Sequence, residues 1–301
     1  MSGPRHFITG TELRREELLR LIERARELKA LPRSEQPHTL RGRCVALLFE
    51  KPSTRTRVSF HVGISQLGGE PLVLRGDDLQ LARGESVADT ARVLSRYVDA
   101  IVARLSDHGM IEELAASSDV PVVNALTPLH HPCQALADAL TLAERFGQLE
   151  GLRLAYVGDG NNVCHSLMLI GAEFGMRVAV ATPPELQPRE EIALAAGDAV
   201  ELLSDPVAAA RGARALYTDV WVSMGDEDEA NARRKVLAPY QLNEQLLAVA
   251  ADDAVVLHCL PAHPGEEITS ELLYGDRSAV WDQAENRLHA QKALLELLIA
   301  P

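Results

Sequence analysis

The sequence predicts an α/β fold of two domains, each a parallel sheet covered by helices on both faces, joined by bridging helices. Short, continuously apolar segments recur along the chain, as is typical of strands buried on both faces. Helical patterns separate these segments, which indicates parallel strands with crossover connections. The length of 301 residues suits two domains of ordinary size.

The first half of the chain opens with an amphipathic helical pattern, TELRREELLRLIERARELK, for which Thr11 is the expected N-cap. Helical patterns such as SVADTARVLSRY and HGMIEELAASS then separate the apolar segments. These segments are predicted strands, and residues 1–130 are predicted to form the first domain. The predicted strands are 44–49, 72–74, 100–103 and 120–124.

The second half follows a predicted bridging helix and linker, residues 131–150, with Pro132 in the first turn of the helix. Residues 151–283 are predicted to form the second domain. The segment 284–301 is a predicted terminal helix that packs back onto the first domain. The predicted strands here are 152–157, 178–181, 215–218, 254–257 and 279–281.

Composition narrows the classes of function. The net charge of −13 argues against a nucleic-acid or acidic-membrane surface. The sequence has no run of 18 apolar residues and no apolar signal region at its N-terminus, so we expect a cytoplasmic protein without a membrane span. The four cysteines lie far apart and form no C-x-x-C pair, which argues against a disulfide framework or a structural zinc site. We expect no metal and no organic cofactor.

The stretch FEKPSTRTRVSF lies where a predicted strand gives way to a helix. Ser53 or Thr54 suits an N-cap. Arg55 and Arg57 stand in the first turn, where the helix dipole disfavours cations by roughly 0.3–1 kcal/mol each. A bound dianion would turn this unfavourable energy into a favourable one. The helix amides could donate to it, and so could both guanidinium groups and the hydroxyl groups, including that of Thr56. The stretch therefore predicts a phosphate site, and it lacks the G-x-x-x-x-G-K-[ST] pattern of nucleotide loops.

The run S-T-R-T-R after a strand and a proline resembles the carbamoyl-phosphate loop of the aspartate/ornithine carbamoyltransferase family. Further family motifs follow in order up to residue 287. By this resemblance His131 and Gln134 of H-P-C-Q donate to the carbamoyl group, and Arg104 and Arg287 help to bind it. Taken alone, His131 would be a helix cap and Arg104 an exposed residue at a strand end.

The polar segment GDDLQLARGES could be an ordinary surface loop. In the family, the corresponding loop reaches the active site of a neighbouring subunit. Gln80 matches the ornithine enzymes, since aspartate enzymes have a lysine in this loop. The resemblance thus implies a homotrimer or a multiple of trimers.

Two motifs of the second half concern the other substrate. GDGNNVCHS has an incomplete G-x-G pattern, without the third glycine or the acidic ribose partner that a dinucleotide site needs. In ornithine enzymes the second asparagine, Asn162, contacts ornithine. DVWVSMG matches the ornithine motif, in which Asp219 and Ser223 hold the α-amino group and Asn162 and the Met224 amide hold the α-carboxylate.

The segment HCLPAH follows the last strand of the second sheet. His258, Cys259 and His263 could be considered metal ligands, but no second cluster completes a tetrahedral site. H-C-L-P resembles the ornithine enzymes, and this places Cys259 and the Leu260 carbonyl near the δ-amino group. Family sequences usually have arginine where Pro264 stands, which leaves the conformation of this loop open.

The resemblance implies transfer of a carbamoyl group from carbamoyl phosphate to the δ-amino group of L-ornithine, giving L-citrulline and phosphate in arginine metabolism. The implied catalytic residues are Arg104, His131, Gln134, Asp219 and Cys259. The implied carbamoyl-phosphate ligands are Ser53, Thr54, Arg55, Thr56, Arg57, Gln80, Arg104, His131, Gln134, Cys259, Leu260 and Arg287. Three alternatives stay open: a carbamoyltransferase for putrescine or N-acetylornithine, a nucleotide-dependent oxidoreductase, and a non-catalytic ligand-binding protein.

Overall fold

The computed structural model describes residues 3–51, 53–76, 84–222 and 230–299. The chain forms two compact units, Met1–Ala137 with Arg287–Pro301, and Asp138–Asn286. The limits of these units fall inside two long helices, Pro132–Phe146 and Val280–Ile299. The domain limits 130, 150 and 283 given above stay predictions.

The first unit contains a parallel sheet with the strand order β2-β1-β3-β4. Leu47 and Leu48 are both fully buried although they point to opposite faces of β1, so both faces of the sheet are covered. The elements up to the unit limit are α1 (Arg15–Ala30), β1 (Cys44–Phe49), α2 (Thr54–Gln66), β2 (Glu70–Arg75), α3 (Val87–Leu94), β3 (Ala100–Arg104), α4 (His108–Ala116), β4 (Val122–Leu126) and the start of α5 (Pro132–Phe146).

The second unit contains a parallel sheet with the order β7-β6-β5-β8-β9. The predicted fold class, two parallel sheets with helices around them, is confirmed. The elements after α5 are β5 (Arg153–Val157), α6 (Asn162–Glu173), β6 (Arg177–Ala181), α7 (Glu190–Ala196), β7 (Val200–Leu203), α8 (Pro206–Ala210), β8 (Ala215–Thr218), α9 (Ala230–Leu237), α10 (Glu244–Val249), β9 (Val255–His258), α11 (Ser270–Tyr274) and α12 (Val280–Ile299).

Most predicted strands agree with the observed ones to within two residues at each end, but 279–281 is wrong. Ser278 forms only an isolated bridge with Val256, and α12 begins at Val280. The helix therefore starts earlier than the predicted 284. Strand β7 lies at the edge of the sheet, where Glu201 and Leu202 are exposed. It was not predicted because it lacks the continuous apolar run of a strand buried on both faces.

Thr11 was also wrongly predicted as the cap of the first helix. The N-cap is Arg14, whose backbone N–H donates to the Glu17 carboxylate at 3.1 Å. Thr11 lies in a separate turn, where its hydroxyl pairs with that of Thr9 at 2.8 Å. Glu12 closes this turn by accepting from the Thr9 and Gly10 amides. None of the helices in the described part of the chain is long and apolar enough to cross a membrane.

Lys292 of α12 is a fully buried cation in the first unit. Its ammonium group donates to Gln36 Oε1 at 2.8 Å and to Gln66 Oε1 at 3.1 Å. Burial lowers the pKa of Lys292 to about 8, against a raising effect of Glu296 and a further lowering by Arg24. Because the charged form is the costly one in this site, folding disfavours protonation of Lys292.

Replacing Lys292 by methionine should therefore change the pH dependence of stability. Between pH 8 and 10.5 the folded protein binds fewer protons at this site than the unfolded chain, so the contribution of Lys292 becomes more favourable as pH rises. The free energy of urea-induced unfolding of the wild type should rise relative to that of Lys292→Met across this window. Lys51→Met, which alters an exposed lysine, is the control and should show no such trend. A difference independent of pH would contradict the expectation.

Candidate functional site

The first group of predicted site residues lies at the carboxyl ends of β1 and β3, where Phe49 is in register with Arg104. Ser53 is the N-cap residue of α2, but its side chain makes no cap hydrogen bond. Its hydroxyl instead accepts from Arg104 Nη1 at 3.2 Å. Side-chain capping by Ser53, one interpretation of the sequence, is therefore wrong. The contact joins the predicted phosphate loop to the predicted carbamoyl-binding arginine.

The first turn of α2 contains no acidic residue. Thr54 is the first helical residue, and Thr54, Arg55 and Arg57 are exposed, whereas Thr56 is buried. Two exposed guanidinium groups thus stand at the positive end of a helix of 13 residues. This is the arrangement on which the predicted anion site rests, and the site itself stays a prediction.

Arg287 of α12 brings three predicted site residues of the first unit together. It is 3% exposed. Its Nη2 donates to Thr56 Oγ1 at 2.8 Å, its Nη1 donates to Gln134 Oε1, and the same Nη1 lies 3.5 Å from His131 Nε2. A guanidinium group can only donate hydrogen bonds, so the oxygen of the Gln134 amide faces Arg287. The NH₂ group of Gln134 therefore faces away from Arg287.

His131 precedes α5 as the sequence predicted. Pro132 is the first residue of the helix, and the His131 carbonyl accepts from the Gln134 and Ala135 amides at 3.0 and 3.3 Å. The pKa of His131 is well below its ordinary value, first because of burial and then because of the charges of Arg287 and Arg104. A neutral imidazole with Nε2 towards Arg287 carries its proton on Nδ1, so Nδ1–H is the hydrogen-bond donor of this ring.

The second group of predicted residues lies at the carboxyl ends of β8 and β9 in the second unit. Asp219 is 6% exposed. Cys259 Sγ donates to Asp219 Oδ1 at 2.9 Å, and Asn161 Nδ2 donates to Asp219 Oδ2 at 2.7 Å. Asn162 is the first residue of α6, next to this group. Gln80, Ser223 and Met224 lie outside the described residues.

The segment after β9 is held by a buried histidine. His258 Nδ1 accepts from the Leu260 amide at 2.9 Å, so the proton of the ring is on Nε2, which lies 3.1 Å from Glu267 Oε1. Leu260 has a φ of 58°, which is rare for a residue with a side chain. Both ring nitrogens of His258 thus have protein partners. Because both nitrogens are already engaged, neither is left as a metal ligand, which disfavours the interpretation of this motif as a metal site.

Sequence reasoning missed three residues that hold these loops. Asn161 is the N-cap of α6, and two asparagines at a strand–helix junction were a signal for it. Glu267 holds His258. Arg233 forms an ion pair with Asp159 and donates to the Trp221 carbonyl at 2.8 Å. No local pattern indicated Glu267 or Arg233. The ion-pair partner of Arg233 is 74 residues away in the sequence, and the pairing of Glu267 with His258 depends on the turn that the chain makes after β9.

The glycines of GDGNNV have a structural explanation. Gly158 has a φ of 139°, a conformation that side chains rarely adopt. A Cβ on Gly160 would lie 2.3 Å from the Pro188 nitrogen and 2.6 Å from the Leu186 carbonyl oxygen. The backbone of the segment after β6 thus occupies the space beside Gly160, which accounts for this glycine without a nucleotide.

Gly160→Ala should therefore destabilise the protein by several kcal/mol, since the clash is with backbone and cannot be relieved by rotating a side chain. Thermal unfolding measures the effect, and Gly84→Ala is a control for loss of a glycine with open space around it. Because Gly84 has a φ of 96°, its substitution should cost about 1 kcal/mol through strain alone. Equal effects at the two positions would contradict the packing argument.

The chain matches two family models. Residues 5–144 match the carbamoyl-phosphate-binding domain of aspartate/ornithine carbamoyltransferases, and residues 150–298 match the aspartate/ornithine-binding domain of the same enzymes. The chain belongs to the aspartate/ornithine carbamoyltransferase family. The resemblance found in the motifs is confirmed, and the chain is a carbamoyltransferase.

Individual family members are similar over their full length. The ornithine carbamoyltransferase of Hyperthermus butylicus is 52% identical, with 100% of both chains covered. A relative from Pyrococcus furiosus named ornithine carbamoyltransferase, anabolic, is 51% identical, covering 94% of this chain and 93% of its own. A solved structure of ornithine carbamoyltransferase from P. furiosus has a TM-score of 0.93 at 49% identity, with 99% of this chain and 97% of that chain covered.

Pro264 stands where family sequences usually have arginine, and it lies in a loop that is closed by backbone contacts. Pro264 forms a bridge with Ile268, and the Gly265 amide donates to the Ile268 carbonyl at 2.8 Å. Gly265 has a φ of 95°, which allows this turn. Here Glu266, two residues after Pro264, forms an ion pair with Arg234 at 3.0 Å.

Proposed function

We propose that this carbamoyltransferase acts on L-ornithine, converting carbamoyl phosphate and L-ornithine to L-citrulline and phosphate. The observation that carries the proposal is the contact of one buried guanidinium group, that of Arg287, with Thr56, Gln134 and His131. These are the residues that the family motifs assign to carbamoyl phosphate. Relatives at 51–52% identity named ornithine carbamoyltransferase support the choice of acceptor.

Carbamoyl phosphate is bound at the start of α2. The amides of the first turn, the hydroxyls of Ser53, Thr54 and Thr56, and the exposed guanidinium groups of Arg55 and Arg57 bind the phosphate. The Arg104–Ser53 hydrogen bond keeps Arg104 beside this loop. The positive helix end and the arginines stabilise the phosphate dianion as it leaves.

The carbamoyl oxygen accepts hydrogen bonds from Arg104, the Nδ1–H of His131 and the NH₂ of Gln134. Attack on the carbonyl carbon develops negative charge on this oxygen, and each well-placed donor typically contributes about 10²–10³ in rate. The low pKa of His131 suits this role, because the neutral ring donates a hydrogen bond without giving up a proton. Arg287 orients Gln134 and His131.

Asp219 and Cys259 act on the amine. A free δ-ammonium group of this type has a pKa of about 10.4, so it must lose a proton before it can attack. Asp219, together with Ser223, binds the α-amino group. Asp219 and Cys259 assist the removal of the first δ proton, which the Cys259 sulfur accepts as its thiol proton passes to Asp219 Oδ1. The neutral δ nitrogen then forms a bond to the carbamoyl carbon while the bond from that carbon to the phosphate oxygen breaks, and the leaving phosphate accepts the second δ proton.

We also propose a cytoplasmic homotrimer, or a multiple of trimers, in which the loop containing Gln80 serves a neighbouring subunit. The name of the anabolic relative supports synthesis of citrulline as the direction of the reaction. Light scattering of the purified protein measures the assembly. A monomer at the enzyme concentrations of the assay would contradict the trimer.

An assay for the ureido product formed from carbamoyl phosphate and each of four amines tests the proposed acceptor. L-Ornithine should be carbamoylated, whereas putrescine, N-acetylornithine and L-aspartate should react at least about 100-fold more slowly, since each lacks or blocks a group that the ornithine residues bind. Turnover with another amine and none with ornithine would overturn the acceptor. A parallel assay for NADH or NADPH oxidation tests the oxidoreductase alternative and should show none.

A further inference from the structure

We propose that Asn161 is a positioning residue for ornithine, fixing the carboxylate of Asp219 through a hydrogen bond to Oδ2. The inference rests on the proposed function, in which Asp219 binds ornithine. The family motif assigned ornithine to the neighbouring Asn162, and nothing in the sequence argument used Asn161. Its donor atom lies 2.7 Å from Asp219 Oδ2.

The orientation of the Asn161 amide follows from its partners. Asn161 Oδ1 accepts from the Val163 and Cys164 amides at 2.9 and 3.2 Å, and from the Tyr156 hydroxyl at 3.2 Å. Backbone N–H groups can only donate, so the oxygen must face them. The NH₂ group is therefore on the side of Asp219, and the same amide that caps α6 supplies a donor to the carboxylate.

Asp219 is held at both oxygens by donors from different elements. Cys259, after β9, donates to Oδ1, and Asn161, before α6, donates to Oδ2. Two donors on opposite oxygens define the plane of the carboxylate. Asn161 thus fixes the orientation of a carboxylate that is 6% exposed.

Asn161→Ser separates this role from capping, because serine is a good N-cap but cannot donate to Asp219 across the same distance. We expect kcat/KM for L-ornithine to fall by about 10- to 100-fold, the range for loss of a hydrogen bond to a charged group. The KM for carbamoyl phosphate should stay within about twofold. Binding of L-norvaline, which has the α-amino group but no δ-amino group, should weaken in parallel when measured by titration calorimetry.

The chain offers a matched control in Asn243, the N-cap of α10 in the same unit. Its Oδ1 accepts from the Gln245 and Leu246 amides at 3.1 and 3.2 Å, close to the geometry of Asn161. Asn243→Ser should change stability by a similar amount while leaving the ornithine kinetics within about twofold. If Asn161→Ser loses no more than Asn243→Ser, Asn161 is only a cap and the proposal is wrong.

Asn161→Asp gives a second readout that a cap alone would not change. The carboxylate introduced at position 161 can still accept from the amides at the start of α6. Towards Asp219 it can donate a hydrogen bond only while the two carboxyl groups share a proton. The ratio of wild-type to variant kcat/KM for ornithine should therefore increase with pH. Cys259, Tyr156 and Tyr217 face this pair of side chains in both proteins, so the added carboxylate is the one new titratable group in the variant. A constant ratio would overturn the proposal, whereas a wild type that forms no citrulline would overturn the proposed function instead.

Discussion

Arg287→Met should lower kcat/KM for carbamoyl phosphate by about 10²–10³-fold or more, the loss expected when hydrogen-bond donors to a developing oxyanion are displaced. Methionine has a similar length but removes the donors to Thr56 and Gln134. The Gln134 amide then loses the Arg287 donor that orients its oxygen. Initial rates of citrulline formation at varied carbamoyl phosphate and saturating ornithine measure the effect.

Arg287→Lys tests whether geometry or charge matters at this position. An ammonium group retains the charge but cannot bond Thr56 and Gln134 with the fixed fork of a guanidinium group. We expect it to recover little of the lost activity and to remain at least about 10-fold below the wild type. Arg145→Met removes an exposed arginine that pairs with Asp282, and it should keep full activity. An Arg287→Met rate within threefold of this control would contradict the proposed role.

Asp219→Asn should reduce kcat/KM for ornithine by about 10²–10⁴-fold, the usual contribution of a group that assists proton transfer. The amide can still accept from Asn161 and lies within reach of Cys259, so the local packing is kept. The negative charge that pairs with the α-ammonium group is lost. The KM for carbamoyl phosphate should change much less than that for ornithine, because the residues proposed to hold the phosphate group all lie in the first unit.

The appropriate control for Asp219→Asn is Asp253→Asn, which neutralises an exposed carboxylate paired with Arg214. This control should change neither kinetic constant by more than about twofold, because exposed ion pairs contribute little. Thermal unfolding of both variants shows whether the fold is intact. Should Asp219→Asn retain more than a tenth of the wild-type kcat/KM for ornithine, Asp219 would not be a proton-transfer or ammonium-binding group.

Local patterns predicted the strands where the burial was uniform and failed where it was not. Strand β1 was predicted with its observed limits because all its central residues are apolar and buried. Edge strand β7 has Glu201 and Leu202 exposed, and the glutamate interrupts its apolar residues, so it gave no such signal. The error at Ala279 has a similar origin, since a short apolar run does not distinguish a strand from the first turn of a buried helix.

The motifs predicted candidate site residues but not the residues that hold them. Asp219 and Cys259 were predicted separately, 40 residues apart, and the folded chain joins them by one hydrogen bond. Asn161 lay inside a recognised motif, yet its link to Asp219 depends on how β5 and β8 pair. Ser53 was predicted as a possible cap, whereas the approach of Arg104 at the end of β3 gives its hydroxyl another partner.

The sequence by itself determined the fold class and the family and predicted an anion site at the start of α2, because these depend on apolar periodicity and on contiguous motifs. The tertiary structure decided which groups hold the predicted site residues. Arg287 lies 153 residues from Gln134 and 231 from Thr56. Hydrogen bonds across such separations depend on the packing of whole helices and sheets, which local sequence patterns do not encode.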